Sequence, residues 1–345
     1  MELDFIIEKL ILVTILFVVT LTIAAYSTLA ERKVAAWLQD RRGPERAGPF
    51  GLLQPLADGG KMFFKEEIIP SGANKYLFVA GPSLALLVSF LGSAVIPFGQ
   101  DIELFGRVVP LQVTDINVGL LYIFGVVSLG VYGIMIGGWA SNNKYSLMGA
   151  IRGASQNISY EIAMGLSIIA LLLVTNTLSF KEIAEQQHGF NWLVFYQPLG
   201  FLIFLVCAFA ELNRVPFDLP ECETELIGGY QTEYSAFKMG AYMFAEYINM
   251  FVSSAVMAVI YFGGYNYPGM DFVNDLLGPT WGPLVGVAVV FLKIIAFIFF
   301  FMWIRWTVPR FRYDQLMDLG WKILIPLAIA NIVITAIVIT VMDKL

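Results

Sequence analysis

Residues 1–33 read MELDFIIEKLILVTILFVVTLTIAAYSTLAERK, and no charge interrupts residues 11–30. A helix rises 1.5 Å per residue, so roughly 20 apolar residues cross about 30 Å of hydrocarbon. The start of the stretch is acidic and its apolar core is long. It therefore predicts a membrane-spanning helix over 5–30 rather than a cleaved signal peptide.

Working outward, similar runs occupy 76–98, 117–140, 160–178, 192–212, 239–263, 283–305 and 321–342. They are apolar all round and lack the alternation of barrel strands. The chain is 58% hydrophobic and 14% charged, against about 25% charged in soluble domains. The expected fold is an all-α integral membrane protein. It would be a single transmembrane domain: a bundle of eight transmembrane helices with long loops on one side. No nucleic-acid partner is expected.

Basic residues select that side. The stretch after the first run holds Arg32, Lys33, Arg41, Arg42, Arg46, Lys61, Lys65 and Lys75; alternate loops hold Lys144 and Arg152, Arg214 and Lys238, then Arg305, Arg310, Arg312 and Lys322. The opposite side has Lys9, Arg107, Lys181 and Lys344, with Lys293 inside a run. Positive charge stays inside, so the basic loops are expected in the cytoplasm and both termini outside.

The segment 44–69 falls largely on GPFGLLQPLADGGKMFFKEEIIP (48–70), too charged to span. At 100° per residue Gln54, Asp58, Lys61 and Lys65 share one face, opposite Leu52, Leu53, Leu56 and Phe63. An interfacial amphipathic helix is expected there, shortened or kinked by Pro55 and Gly59–Gly60. Lys65, Glu66 and Glu67 suit solvated anchors. Asp58 and Lys61, with Glu31, Arg32 and Trp37 of ERKVAAWLQDRR, suit a polar-lipped cleft for a hydrophobic molecule entering from the bilayer.

The inside loop 213–238, NRVPFDLPECETELIGGYQTEYSAF and the residues beyond, breaks the charge pattern. Asp218, Glu221, Glu223, Glu225 and Glu233 lie there, with Glu211 just before and Glu246 just after. A helix with Pro220 in its first turn, ended by Gly228–Gly229, accounts for Glu221 and Glu223 through the positive helix end. It leaves the others unexplained. Glu161 and Glu246 lie within apolar runs, where a charge costs at least about 2.5–3.5 kcal/mol and faces a cavity or partner. Crowded, half-buried carboxylates hold protons to higher pH, so this group reads as a proton-conducting or protonation-sensing chain. Lys293 is expected to pair with a buried acid, with Glu246 as a candidate.

Cys207, Cys222 and the one histidine, His188, are too few for an iron–sulfur cluster or a His-rich metal or haem site. No resident cofactor is expected, and any electrons must come from a partner.

GLLQPLADGGKMFFKE, NRVPFDLPECETELIGGYQTEY and RWTVPRFRYDQLMDLGWK (305–322) closely resemble, in order and on one membrane side, the signature regions of a known family. It is the NuoH family, a membrane subunit of proton-pumping NADH:quinone oxidoreductase, respiratory complex I. The resemblance covers essentially the whole chain, including ERKVAAWLQDRRGP; one departure is Gly60, where a larger residue is usual. It implies a subunit that forms the membrane-facing entrance of the quinone chamber and couples quinone reduction to proton translocation. FMN and iron–sulfur clusters would sit in peripheral partner subunits, and quinone would be the substrate. Glu31, Arg32, Asp58, Lys61 and the Phe217–Asp218 turn would line or support the quinone path. Glu161, Glu211, Asp218, Glu221, Glu223, Glu225, Glu233 and Glu246 would form the acidic path toward other membrane subunits. Arg305, Arg310, Arg312 and Asp314 match a docking and structural loop. The expected location is a bacterial inner membrane, ahead of an organellar one. The rival readings are the equivalent subunit of a membrane-bound hydrogenase-type complex and a stand-alone ion transporter.

Overall fold

The computed structural model describes residues 2–104 and 107–342; Lys344 lies outside them. Seven helices among the described residues are long and apolar enough to cross a membrane. The helices are α1 (Glu2–Leu38), α2 (Gln54–Phe64), α3 (Lys75–Gly92), α4 (Gly119–Ala140), α5 (Lys144–Thr175), α6 (Phe180–Glu185) and α7 (Leu193–Tyr196). They continue with α8 (Pro198–Glu211), α9 (Glu223–Leu226), α10 (Ala236–Phe262), α11 (Met270–Thr307), α12 (Tyr313–Asp318) and α13 (Ile325–Met342). A small antiparallel hairpin, β1 (Ile102–Leu104) with β2 (Arg107–Val109), pairs Ile102 with Val109.

Among the helices that depart from the hydropathy runs, three carry or position candidate residues. The 37 residues of α1 exceed what about 30 Å of hydrocarbon requires, so the helix carries Glu31 and Arg32 past the apolar run on a rigid element. The 32 residues of α5 start well before the run that begins at 160. In its polar first half the buried Gln156 amide donates to Ala210 O at 2.7 Å and Phe217 O at 2.8 Å. Glu161 is consequently mid-helix. The run over 192–212 is split at Gln197, whose φ of −131° and ψ of 56° lie outside the α region that the following Pro198 disfavours. The break is stitched to α13 by Gln197, which donates to Thr335 at 2.8 Å and accepts from Asn331 at 3.0 Å. The remaining helix α8 has 14 residues.

Most of α10 is buried, and it packs on α1, α3 and α11. Glycine lets α3 and α4 touch: a Cβ on Gly81 would lie 2.9 Å from Gly137 Cα, the close backbone approach that small residues give membrane helices. In the segment 44–69, α2 forms despite its breakers. Pro55 falls in its first turn, where no backbone N–H is needed, and the helix runs through Gly59–Gly60. Leu56, Phe63 and Phe64 are exposed.

Candidate functional site

Residues 240, 243, 244 and 247 follow helical spacing on one face of α10, and they wall a cavity of about 270 Å³ closed by α1, α2 and the end of α11. Glu31, Arg32, Asp58 and Lys61 all line it, beside Met62, Met243, Phe244, Tyr247, Arg305 and Trp306. The polar stripe of α2 is therefore used. Asp58 accepts from Gln54 at 3.1 Å and pairs with Arg32 at 2.8 Å.

Glu31 is the hub. Its side chain is 6% exposed and receives Arg214 at 2.9 Å, the Tyr247 hydroxyl at 2.8 Å and Arg305. Arg214 is itself buried, its guanidinium 4.3 Å from the Tyr247 ring centroid. Three donors around one carboxylate meet the requirement that a buried charge be paired and hydrogen-bonded.

Glu246 lies one residue before Tyr247, about 100° around α10, and faces a second cluster. It accepts from Tyr230 at 3.2 Å and from Gln231 at 3.3 Å, and Gln231 also donates to Glu221. Asp218 pairs with Arg310 at 3.0 Å. Glu211 and Glu246 line one small cavity with Asn157 and Asn249, and Glu211 and Asn249 also line a second one, reached from α5 by Met164. Glu161, one turn before Met164, accepts from Ser128 of α4.

Backbone conformation brings this loop together. Gly229 has φ +54°, and a Cβ there would lie 1.7 Å from Pro220 O. Only glycine lets 229–231 lie against 218–221, so that Gln231 meets Glu221. The helix expected from Pro220 begins instead at Glu223, after Cys222 with φ 24°. Two prolines and a positive φ before it leave Glu221 outside the helix and turned inward. Glu223 is exposed; Glu225 pairs with Arg152 at 2.6 Å and Glu233 accepts from Asn143 at 2.6 Å. These three are not part of the buried cluster.

Burial pushes Asp218 up to about 7, against the pull of Arg310 and with a push from Glu246. Burial, then Glu246 and Asp218, raise Glu221 well above the usual carboxylate range. The native state thus holds protons that the unfolded chain releases. The stability from Asp218 is complete below the ordinary carboxylate range and is lost as pH rises through about 7, and Glu221 contributes with the same sign. Resistance of the solubilised complex to denaturant is expected to fall from about pH 5 to about pH 8, with a flatter slope in Asp218→Asn. An unchanged slope in that variant contradicts the assignment.

Three expected site residues lie elsewhere. Trp37 is 68% exposed and does not line the cavity. Phe217 is buried, its ring stacked 5.4 Å from Phe311. Lys293 meets no acid among the described residues: its ammonium donates to Phe262 O, Gly264 O and Asn266 O at 2.7, 2.7 and 2.8 Å. Gly263 and Gly264, both with positive φ, turn the end of α10 so that its free carbonyls converge on the ammonium. That end is far from Glu246. Lys293→Met should cost about 3 kcal/mol by leaving those carbonyls unpaired, read as earlier loss of the purified complex on heating; unaltered heat resistance contradicts it.

Sequence alone does not single out Arg214, Tyr247, Tyr230 or Gln231 as site residues, and it gives Arg305 and Arg310 a docking role. The signal for the arginines is the acid excess itself, which demands counter-charges. Among the described residues no three His, Cys, Asp or Glu side chains are grouped to hold a metal ion.

Long apolar helices, with buried ion pairs and acids toward one end of the bundle, define an all-α multi-pass membrane protein that holds charge in its interior. The chain belongs to the NADH dehydrogenase family, whose model matches residues 10–336. It is 65% identical over 339 residues to the NADH-quinone oxidoreductase subunit designated H in Flavobacterium johnsoniae, covering 98% of this chain and 97% of that one. The same-named protein of Flavobacterium psychrophilum is 64% identical over 337 residues, 98% of each chain. A protein of that name in Cytophaga hutchinsonii is 65% identical over 332 residues, 96% of each.

Proposed function

We propose that this chain is the membrane subunit through which a proton-translocating NADH:quinone oxidoreductase admits quinone and couples its reduction to proton movement. The observation that carries the reading is Arg305. It lines the α1–α2–α10 cavity and pairs with Glu31, and it also acts electrostatically on Asp218 and Glu221. One side chain is thus coupled to both the apolar-walled cavity and the acid cluster.

In this reading quinone enters between α2 and α10, and electrons arrive from flavin and iron–sulfur centres on partner subunits. Negative charge placed in a poorly solvated chamber acts more strongly than in water. It draws on Arg305 and so weakens the hold of that guanidinium on Asp218 and Glu221. Those carboxyls then take up protons more readily, and Glu246, Glu211 and Glu161 pass the change along the small cavities toward neighbouring membrane subunits. The chain would cross the bacterial inner membrane eight times, counting α7–α8 as one crossing, with α2 in the interface, loop 213–238 on the cytoplasmic side and both termini outside.

A photoreactive quinone analogue added to the assembled complex is expected to label the segments 59–62 and 243–247. Labelling confined to other segments or subunits, with these two untouched, overturns the entrance assignment.

A further inference from the structure

The cavity carries more positive charge than its acids balance. Arg32 is matched by Asp58 and Arg305 by Glu31. Arg41 and Lys61 also line it, and neither has an acidic partner among the described residues. Both are exposed at its mouth, and Arg41 Nε donates to Gln39 Oε1 at 2.8 Å. Met62 and Phe244, which are half-buried, supply apolar wall to the same cavity.

We infer that the cavity mouth is a binding site for a single-chain anionic amphiphile. Its carboxylate or phosphate head would be held between Arg41 and Lys61, and its alkyl chain would lie along Met62 and Phe244. The order of charge then apolar wall matches the order of head then tail. At about 270 Å³ the space falls near the lower end of ligand pockets, about 300–1,000 Å³, which suits one chain rather than two. An exposed cation alone contributes little. Two unmatched cations beside a low-dielectric wall favour an anionic head over a neutral or cationic one on the same tail.

The test uses the assembled complex in phosphatidylcholine nanodiscs with a diazirine-bearing fatty acid as probe. Labels are expected in 59–62 and 243–244, with about tenfold less labelling by a cationic alkylammonium of equal chain length. Arg41→Gln with Lys61→Gln should lower fatty-acid labelling about tenfold, and Arg41→Gln alone, at an exposed position, should lower it in part. Displacement of the label by lysophosphatidylglycerol, which has one chain, shows that a phosphate head is held as well as a carboxylate; no displacement confines the site to carboxylate heads, and displacement by two-chain phosphatidylglycerol contradicts the single-chain site. Equal labelling by anionic and cationic probes, or unchanged labelling in the assembled variants, overturns the site. No quinone enters this readout, so it stands or fails separately from the quinone assignment.

Discussion

Arg214→Met is expected to destabilise the folded protein by about 3 kcal/mol, the lower end of the cost of breaking a buried ion pair. Glu31 is 5% exposed and would lose its one fully buried cationic partner. The cost stays at the lower end because Tyr247 and Arg305 still reach Glu31. The loss should appear as reduced yield of assembled complex in detergent. Adding Glu31→Gln should recover much of it, since the stranded charge is then gone and Arg305, 30% exposed, can be solvated. A double variant as poor as Arg214→Met alone, or poorer, contradicts the view that an uncompensated carboxylate causes the loss.

Under the proposed coupling, Glu246→Gln is expected to act on chemistry rather than folding. Glutamine keeps the shape and can still accept from Tyr230, which reaches Glu246 at 3.2 Å, but it cannot exchange a proton. Removing a proton-transfer group typically costs about 10²-fold or more. Quinone reduction by the complex should fall by about that factor. Assembly and NADH oxidation with artificial acceptors should be unchanged, because in the proposed function electrons reach such acceptors from centres on partner subunits. Glu246 is the informative position because Glu221 and Asp218 both respond to its charge.

Periodicity alone locates the long helices, because apolar runs near the membrane thickness have few other folds open to them. It misses the first half of α5, where the buried Gln156 amide donates to the backbone of 210 and 217, and the break at Gln197–Pro198, whose partners lie on α13. The cavity is legible in part for a local reason. Helical spacing on α2 puts Asp58 and Lys61 on one stripe, and Glu31 and Arg32 follow an apolar run directly. The hub is not legible, since Glu31 and Arg214 are 183 residues apart and no short-range pattern joins them. For the same reason the sequence points Lys293 to an acid; converging carbonyls at a glycine turn leave no mark in composition. Glu223 and Glu225 look equivalent to Glu221 in PECETE, yet only the backbone turn at Cys222 separates the half-buried acid from the surface ones.

That separation supplies the most direct measurement: electron-linked proton translocation in proteoliposomes of the assembled complex, comparing Glu246→Gln with Glu223→Gln. The buried cluster should be required and the exposed acid should not, so Glu246→Gln loses both quinone reduction and proton movement while Glu223→Gln retains both. Full proton translocation in Glu246→Gln, or equal loss in the two variants, would contradict coupling through the buried acids.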